Sequence, residues 1–184
     1  MTKLDMAEDT SSHYTEADVK RHVVSALVEN RSGTLSRVSG LFSRRCFNID
    51  GLTVGTTEDP AVSRMTIQVH EDLPVLNRVV KQLDKLVDVI AVRELDSISS
   101  VKRELILVKV GADESSRPAI SEIVNIFRAR IVDVSSSTLI VEATGDSEKL
   151  EGLLSLLRPY GILELARTGL VALERGTLVL NVAI

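Results

Sequence analysis

The apolar residues of this chain change their spacing in a fixed order, and that order occurs twice. "HVVSALVE" (22–29) is an aliphatic, β-branched run of strand length. Leu35, Val38, Leu41 and Phe42 then recur at helical spacing from Thr34 to about Arg45. "NIDGLTVG" (48–55) and "AVSRMTIQV" (61–69) read as two strands joined across Asp59-Pro60, a turn signal. Leu76, Val79, Val80, Leu83 and Leu86 stripe a second helix, and "VDVIAVREL" (87–95) is a fourth strand. Past a Ser-rich stretch the series begins again. "ELILVKV" (104–110) precedes a helix striped by Ile120, Ile123, Val124 and Phe127, with Pro118 near its first turn. "RIVDV" (130–134) and "TLIVEAT" (138–144) form a hairpin pattern. A helix striped by Leu150, Leu153, Leu154 and Leu157 follows, with Asp146 or Ser147 as N-cap, and then "ILELART" (162–168).

Two βαββαβ units imply an α+β chain of two ferredoxin-like domains, each a four-stranded antiparallel sheet with both helices on one face. The expected division is a polar tail at 1–21, a first domain at 22–96, a linker at 97–103 and a second domain at 104–184. An apolar C-terminal segment, "LVALERGTLVLNVAI", has no place in the repeat. Each sheet would keep one face bare, yet neighbouring strand positions are apolar (Val23-Val24, Leu105-Ile106-Leu107-Val108), which predicts burial on both faces. Small domains with that much apolar surface pair, so a homodimer with C2 symmetry is expected.

Composition narrows the function. A net charge of -4 with no dense Lys/Arg block argues against nucleic acid as a partner, and 3% aromatics argues against base stacking. No apolar run reaches the ~18 residues of a membrane span, and the first residues do not read as a signal peptide. Cys46 is the sole cysteine, so neither an internal disulfide nor a cysteine zinc site is possible. The expected location is therefore cytoplasmic. His13, His22 and His70 show no metal-binding spacing, Glu58-Asp59 reads as a solvated turn, and no phosphate-binding glycine loop is present. No catalytic residue, metal ligand or cofactor site is expected in this chain.

What remains is the turn Asn30-Arg31-Ser32-Gly33, set between the first strand and the first helix. A helix start offers free backbone N–H groups and partial positive charge, suited to a carboxylate. Gly33 would let a ligand approach the backbone, and an amide such as Asn30 or Asn48 serves both amine and carboxylate. In a βαββαβ sheet the first two strands are expected to be central neighbours, so both amides converge near the helix start. The competing reading is simple capping, with Ser32 as N-cap. Residue pattern alone leaves both open.

"LVENRSGTLSRVSGLFSRR" (27–45), "SRMTIQV" (63–69) and "KQLDKLVDVI" (81–90) resemble the regulatory small subunit of acetolactate synthase. So do "RELILVKV" (103–110), "EIVNIFRARIVDVS" (122–135) and "LELARTGLVALERG" (163–176). The first unit resembles an ACT domain, a βαββαβ module that senses amino acids. The resemblance implies a catalytic large subunit as partner, carrying thiamine diphosphate, Mg and FAD, none of which this chain binds. It further implies activation of that subunit and feedback inhibition by valine in branched-chain amino-acid biosynthesis. The alternative is an activating or assembly subunit with an unresponsive ACT pocket. By position, the implied valine site comprises Asn30, Gly33, Thr34 and Leu35, with Asn48 and Ile49 from the facing copy of a homodimer. Three features depart from the family pattern: Cys46 where glycine is usual, Asp50-Gly51 where Glu-Ser is common, and the two chain ends.

Overall fold

The computed structural model describes residues 20–181. Its first unit runs β1 (Lys20–Glu29), α1 (Thr34–Arg44), β2 (Gly51–Thr56), β3 (Val62–Glu71), α2 (Leu73–Leu83) and β4 (Val89–Leu95). The second repeats the order with β5 (Ser100–Gly111), α3 (Arg117–Ile126), β6 (Arg130–Val134), β7 (Thr138–Gly145), α4 (Ser147–Leu157) and β8 (Ile162–Arg167). A further strand, β9 (Val171–Glu174), ends the regular structure. The paired antiparallel sheets have equivalent strand orders, β2-β3-β1-β4 and β6-β7-β5-β8. Two ferredoxin-like units are therefore what the doubled periodicity builds.

Helix side and bare side follow from strand alternation. Val24, Ala26 and Val28 on β1 and Met65, Ile67 and Val69 on β3 face Val38, Leu41, Phe42, Leu76, Val79 and Leu83 in the first core. Ile106, Val108 and Val110 do the same in the second, beneath Ile120, Val124, Leu150, Leu153, Leu154 and Leu157. These cores are aliphatic apart from Phe42, whose ring meets Phe47 edge-on at 6.1 Å between centroids.

Four expectations change. The strand order puts β3 between β1 and β2, so the first two strands are not neighbours. A right-handed β1-α1-β2 crossover leaves a gap one strand wide, and β3 fills it by folding back from β2. The Ser-rich stretch read as a linker is only partly one: Ser100–Arg103 already belong to β5 and pair with Val171–Glu174 of β9. Serines lower strand propensity, but Val101 and the run after it supply a partner edge. The tail expected at 1–21 lies outside the described residues except for Lys20 and Arg21, which extend β1. Finally, burial on both faces holds for Val23-Val24 but not for Leu107, which is 40% exposed. Part of the first sheet's bare face is covered by the chain itself, through Leu170 and Ala172 against Val23 and Leu95. The C-terminal apolar segment thus has a use that the repeat alone did not suggest.

Candidate functional site

The turn between β1 and α1 is held from three sides. Asn30 donates its backbone N–H to the Ala61 carbonyl at 2.7 Å and its side-chain amide to the Pro60 carbonyl at 2.8 Å, so it is tied to the β2–β3 loop. The Glu29 N–H reaches the Asp88 carbonyl at 2.9 Å, tying the end of β1 to the start of β4. Gly33 then takes φ 86°, a left-handed conformation that favours glycine, and the helix begins at Thr34.

No side chain caps α1. Ser32, the expected N-cap, is displaced because Gly33 occupies that position with left-handed geometry. Two of the other three helices are treated differently, and α3 too lacks a side-chain cap on its N-cap residue. Asp72 accepts from the Val75 amide at 2.7 Å at the start of α2, and Asp146 from the Lys149 amide at 2.9 Å at the start of α4. The N-terminus of α1 therefore keeps first-turn donors and the positive end of its dipole available to an incoming anion.

Beneath the turn lies a carboxylate that the sequence pattern concealed. Asp88 has a side chain only 1% exposed, gripped by Arg31 and Arg37. It accepts from Arg31 Nε at 3.0 Å and Nη2 at 2.7 Å, and from Arg37 Nη2 at 2.7 Å and Nε. Those bonds, Arg37's foremost and Arg31's next, hold its pKa well below the usual carboxylate range, at about 2. Arg37 lies so close under the turn that a Cβ on Gly33 would meet its Nη1 at 2.8 Å. The group fixes the turn's backbone, and with Glu29 also pairing with Arg31 at 2.8 Å two carboxylates balance the two guanidinium charges, leaving the helix start itself to meet a ligand. In the sequence, Asp88 sat inside "LVDVIAV" and read as a strand residue; only its isolation among apolar neighbours hinted at a buried partner.

The six residues implied by the resemblance divide into two groups. Asn30, Gly33, Thr34 and Leu35 form the turn and the first helical positions, with Thr34 3% exposed and Leu35 47% exposed beside it. Asn48 and Ile49 lie in the approach to β2, across the width of β3 from the turn in strand order. Asn48 donates to Asp50 Oδ1 at 2.8 Å, and Ile49 packs against the first core. The two asparagines do not converge within one chain. A cavity lined by Thr53, Gly55, Arg64 and Thr66 lies away from the turn, on the bare side of the first sheet. Among the described residues no cluster of potential metal ligands occurs, and no helix is long and apolar enough to cross a membrane.

Cys46 follows α1 with φ 55°, and Arg128 occupies the matching place after α3 with φ 51°. Both are left-handed helix-terminating positions where glycine is favoured.

Two family models match, an acetohydroxyacid synthase small subunit-like ACT domain over residues 24–91 and the small subunit of acetolactate synthase over 103–176. A probable acetolactate synthase small subunit of Methanothermobacter thermautotrophicus is 55% identical over 163 residues, spanning 88% of this chain and 97% of that one. The acetolactate synthase small subunit of Bacillus subtilis is 46% identical over 158 residues, spanning 85% and 92%. The crystal structure of the small subunit from Thermotoga maritima superposes with a TM-score of 0.80 at 41% identity, covering 86% of this chain and 99% of that one. With an ACT unit carrying an uncapped helix start, joined to the second unit that this family shares, the chain belongs to the acetolactate synthase small subunits.

Proposed function

We propose that this chain activates a thiamine diphosphate-dependent acetolactate synthase catalytic subunit and makes it sensitive to valine. The observation that carries the reading is the start of α1, shaped by Gly33 and left without a side-chain cap. Valine's carboxylate would sit on the first-turn N–H groups, with its isopropyl group toward Leu35. Thiamine diphosphate, Mg and FAD would belong to the catalytic subunit, and this chain would supply no reacting group.

The second half of the pocket would come from another copy. β2 is an edge strand, and among the described residues no strand pairs with its outer side. If two β2 strands pair antiparallel about a C2 axis, the start of one lies beside the end of the other. The end of β2 leads into the loop that Asn30 grips, so the other copy's Asn48 and Ile49 would be brought toward the turn. For a ligand as small as valine, roughly 0.5–1 kcal/mol per heavy atom corresponds to millimolar to micromolar affinity.

The test is activity of the catalytic subunit with and without this chain across a valine titration. Stimulation by the chain, reversed by valine, is the expected result. Stimulation that valine leaves unchanged would reduce the chain to an activating subunit. No stimulation at all would reject the proposal.

A further inference from the structure

On the bare side of the first sheet, side chains line up in rows across the strands. Thr53, Thr66, Ser25 and Arg93 form one row; Gly55, Arg64, Leu27 and Ala91 form the next. The ribbon of β9 and the first half of β5 closes over the β1 and β4 end. There Leu170 and Ala172 cover Val23 and Leu95, and Arg93 reaches Glu174 at 2.6 Å. Over β2 and β3 the same ribbon leaves a cleft of about 460 Å³.

The cleft has a charged floor and an apolar wall. Arg64 donates from Nη1 to the Ser25 hydroxyl at 2.7 Å, and Ser25 is fully buried. Among the described residues Arg64 makes no ion pair. Burial pushes its guanidinium pKa down, an effect that nearby Glu58 opposes. A guanidinium bonded to a neutral hydroxyl and partly stripped of water favours an added anion. Arg103 lines the opposite side, and Val101, Val171 and Leu173 supply aliphatic surface. Arg64 and Arg103 against Glu58 leave one positive charge in excess, the right balance for a single carboxylate. Gly55 keeps the floor clear: a Cβ there would meet nothing within 4 Å.

We propose that this cleft binds a small organic monoanion, its carboxylate between Arg64 and Arg103 and its aliphatic body against Val101, Val171 and Leu173. The site uses none of the six turn residues and stands whether or not the turn binds valine.

The probe is 4-methylpentanoate, a branched aliphatic monocarboxylate without an amino group, titrated into the full chain at fixed ionic strength. The readout is the Arg64 side-chain Nε–H signal, assigned by its loss in Arg64→Lys. A saturable shift is expected that sulfate at equal ionic strength does not reproduce. Gly55→Leu fills the cleft and should abolish the shift, whereas Gly33→Asp should leave it intact. Arg103→Ala alters an exposed side chain and should weaken binding roughly tenfold, which decides the question if Gly55→Leu fails to fold. No saturable shift in the parent would overturn the proposal, as would an equal response to sulfate. So would a shift that survives the cleft variants, or one lost in Gly33→Asp.

Discussion

The two units enter their first helix through turns that differ in conformation and in whether they hold a carboxylate. In the second unit the turn after β5 carries its own anion. Asp113 accepts from the Ser116 amide at 2.8 Å, the Ser116 hydroxyl at 2.7 Å and the Ser115 hydroxyl at 2.8 Å. These bonds, the Ser116 hydroxyl's first, lower its pKa to about 2. In the first unit the turn ahead of the helix ends on Gly33 and contains no carboxylate. Neither α1 nor α3 has a side-chain cap at its own N-cap residue, but the turn ahead of α3 is closed by its own carboxylate and the turn ahead of α1 is not. Duplication of a scaffold does not duplicate a site; the difference lies in whether a carboxylate is already present.

The sharpest way to break that contrast is to give the first turn a carboxylate of its own. Gly33→Asp places a side chain at a left-handed position and negative charge at the helix start. It should abolish valine sensitivity of the reconstituted holoenzyme while stimulation by the chain persists. Gly33→Asn adds similar bulk without charge at a conformation that Asn tolerates, so its loss should be smaller. Equal and unchanged valine titrations for both variants would erase the distinction between the turns.

Next in size is Asn48→Ala. It should remove a hydrogen bond to a charged ligand, about 1.5–3 kcal/mol or roughly ten- to hundredfold in valine affinity by calorimetry on the full chain. An affinity equal to the parent's would confine the site to the turn.

The filled turn predicts a pH dependence. Because the folded pKa of Asp113 is depressed from 3.8 to about 2, its contribution is fully present above the ordinary carboxylate range. That contribution is lost as pH falls from about 4 toward 2. Asp113→Asn should therefore be less stable at neutral pH and show a shallower loss of stability across that acid window. Denaturant unfolding at several pH values checks it; parallel curves for variant and parent would mean the carboxylate does not cap the second unit.

The smallest effect concerns what the units share. Cys46 and Arg128 both hold left-handed φ after the first helix of their unit. Cys46→Gly and Arg128→Gly should each stabilise by about 1 kcal/mol, read as a rise in thermal midpoint. A rise in one unit only would show that the matching positions differ in strain as well as in residue.

Much of this was legible in the sequence because strand and helix periods are local. Leu35, Val38, Leu41 and Phe42 announce α1 without help from elsewhere, and Leu150 through Leu157 announce α4. Strand order is not local, and there the reading failed. Asn30 and Asn48 were placed side by side, whereas the return of β3 separates their strands. The Asp88 cluster was hidden for the same reason: its partners Arg31 and Arg37 stand more than fifty residues away. Gly33 was legible as a turn residue. That α1 lacks a side-chain cap became visible only against Asp72 and Asp146, whose carboxylates cap α2 and α4.

β5 is 12 residues of unbroken strand, and its two halves belong to different neighbourhoods. Ser100–Arg103 pair with β9 above the first sheet, and Glu104–Gly111 lie between β7 and β8 in the second. At about 3.3 Å per residue this is a rod some 40 Å long, pinned at both ends by ladders of backbone hydrogen bonds. A rod so held resists bending where a flexible tether would go slack. Displacement of the ribbon at one end must then arrive at the other as a shift or twist of the second sheet. The chain is geared rather than hinged.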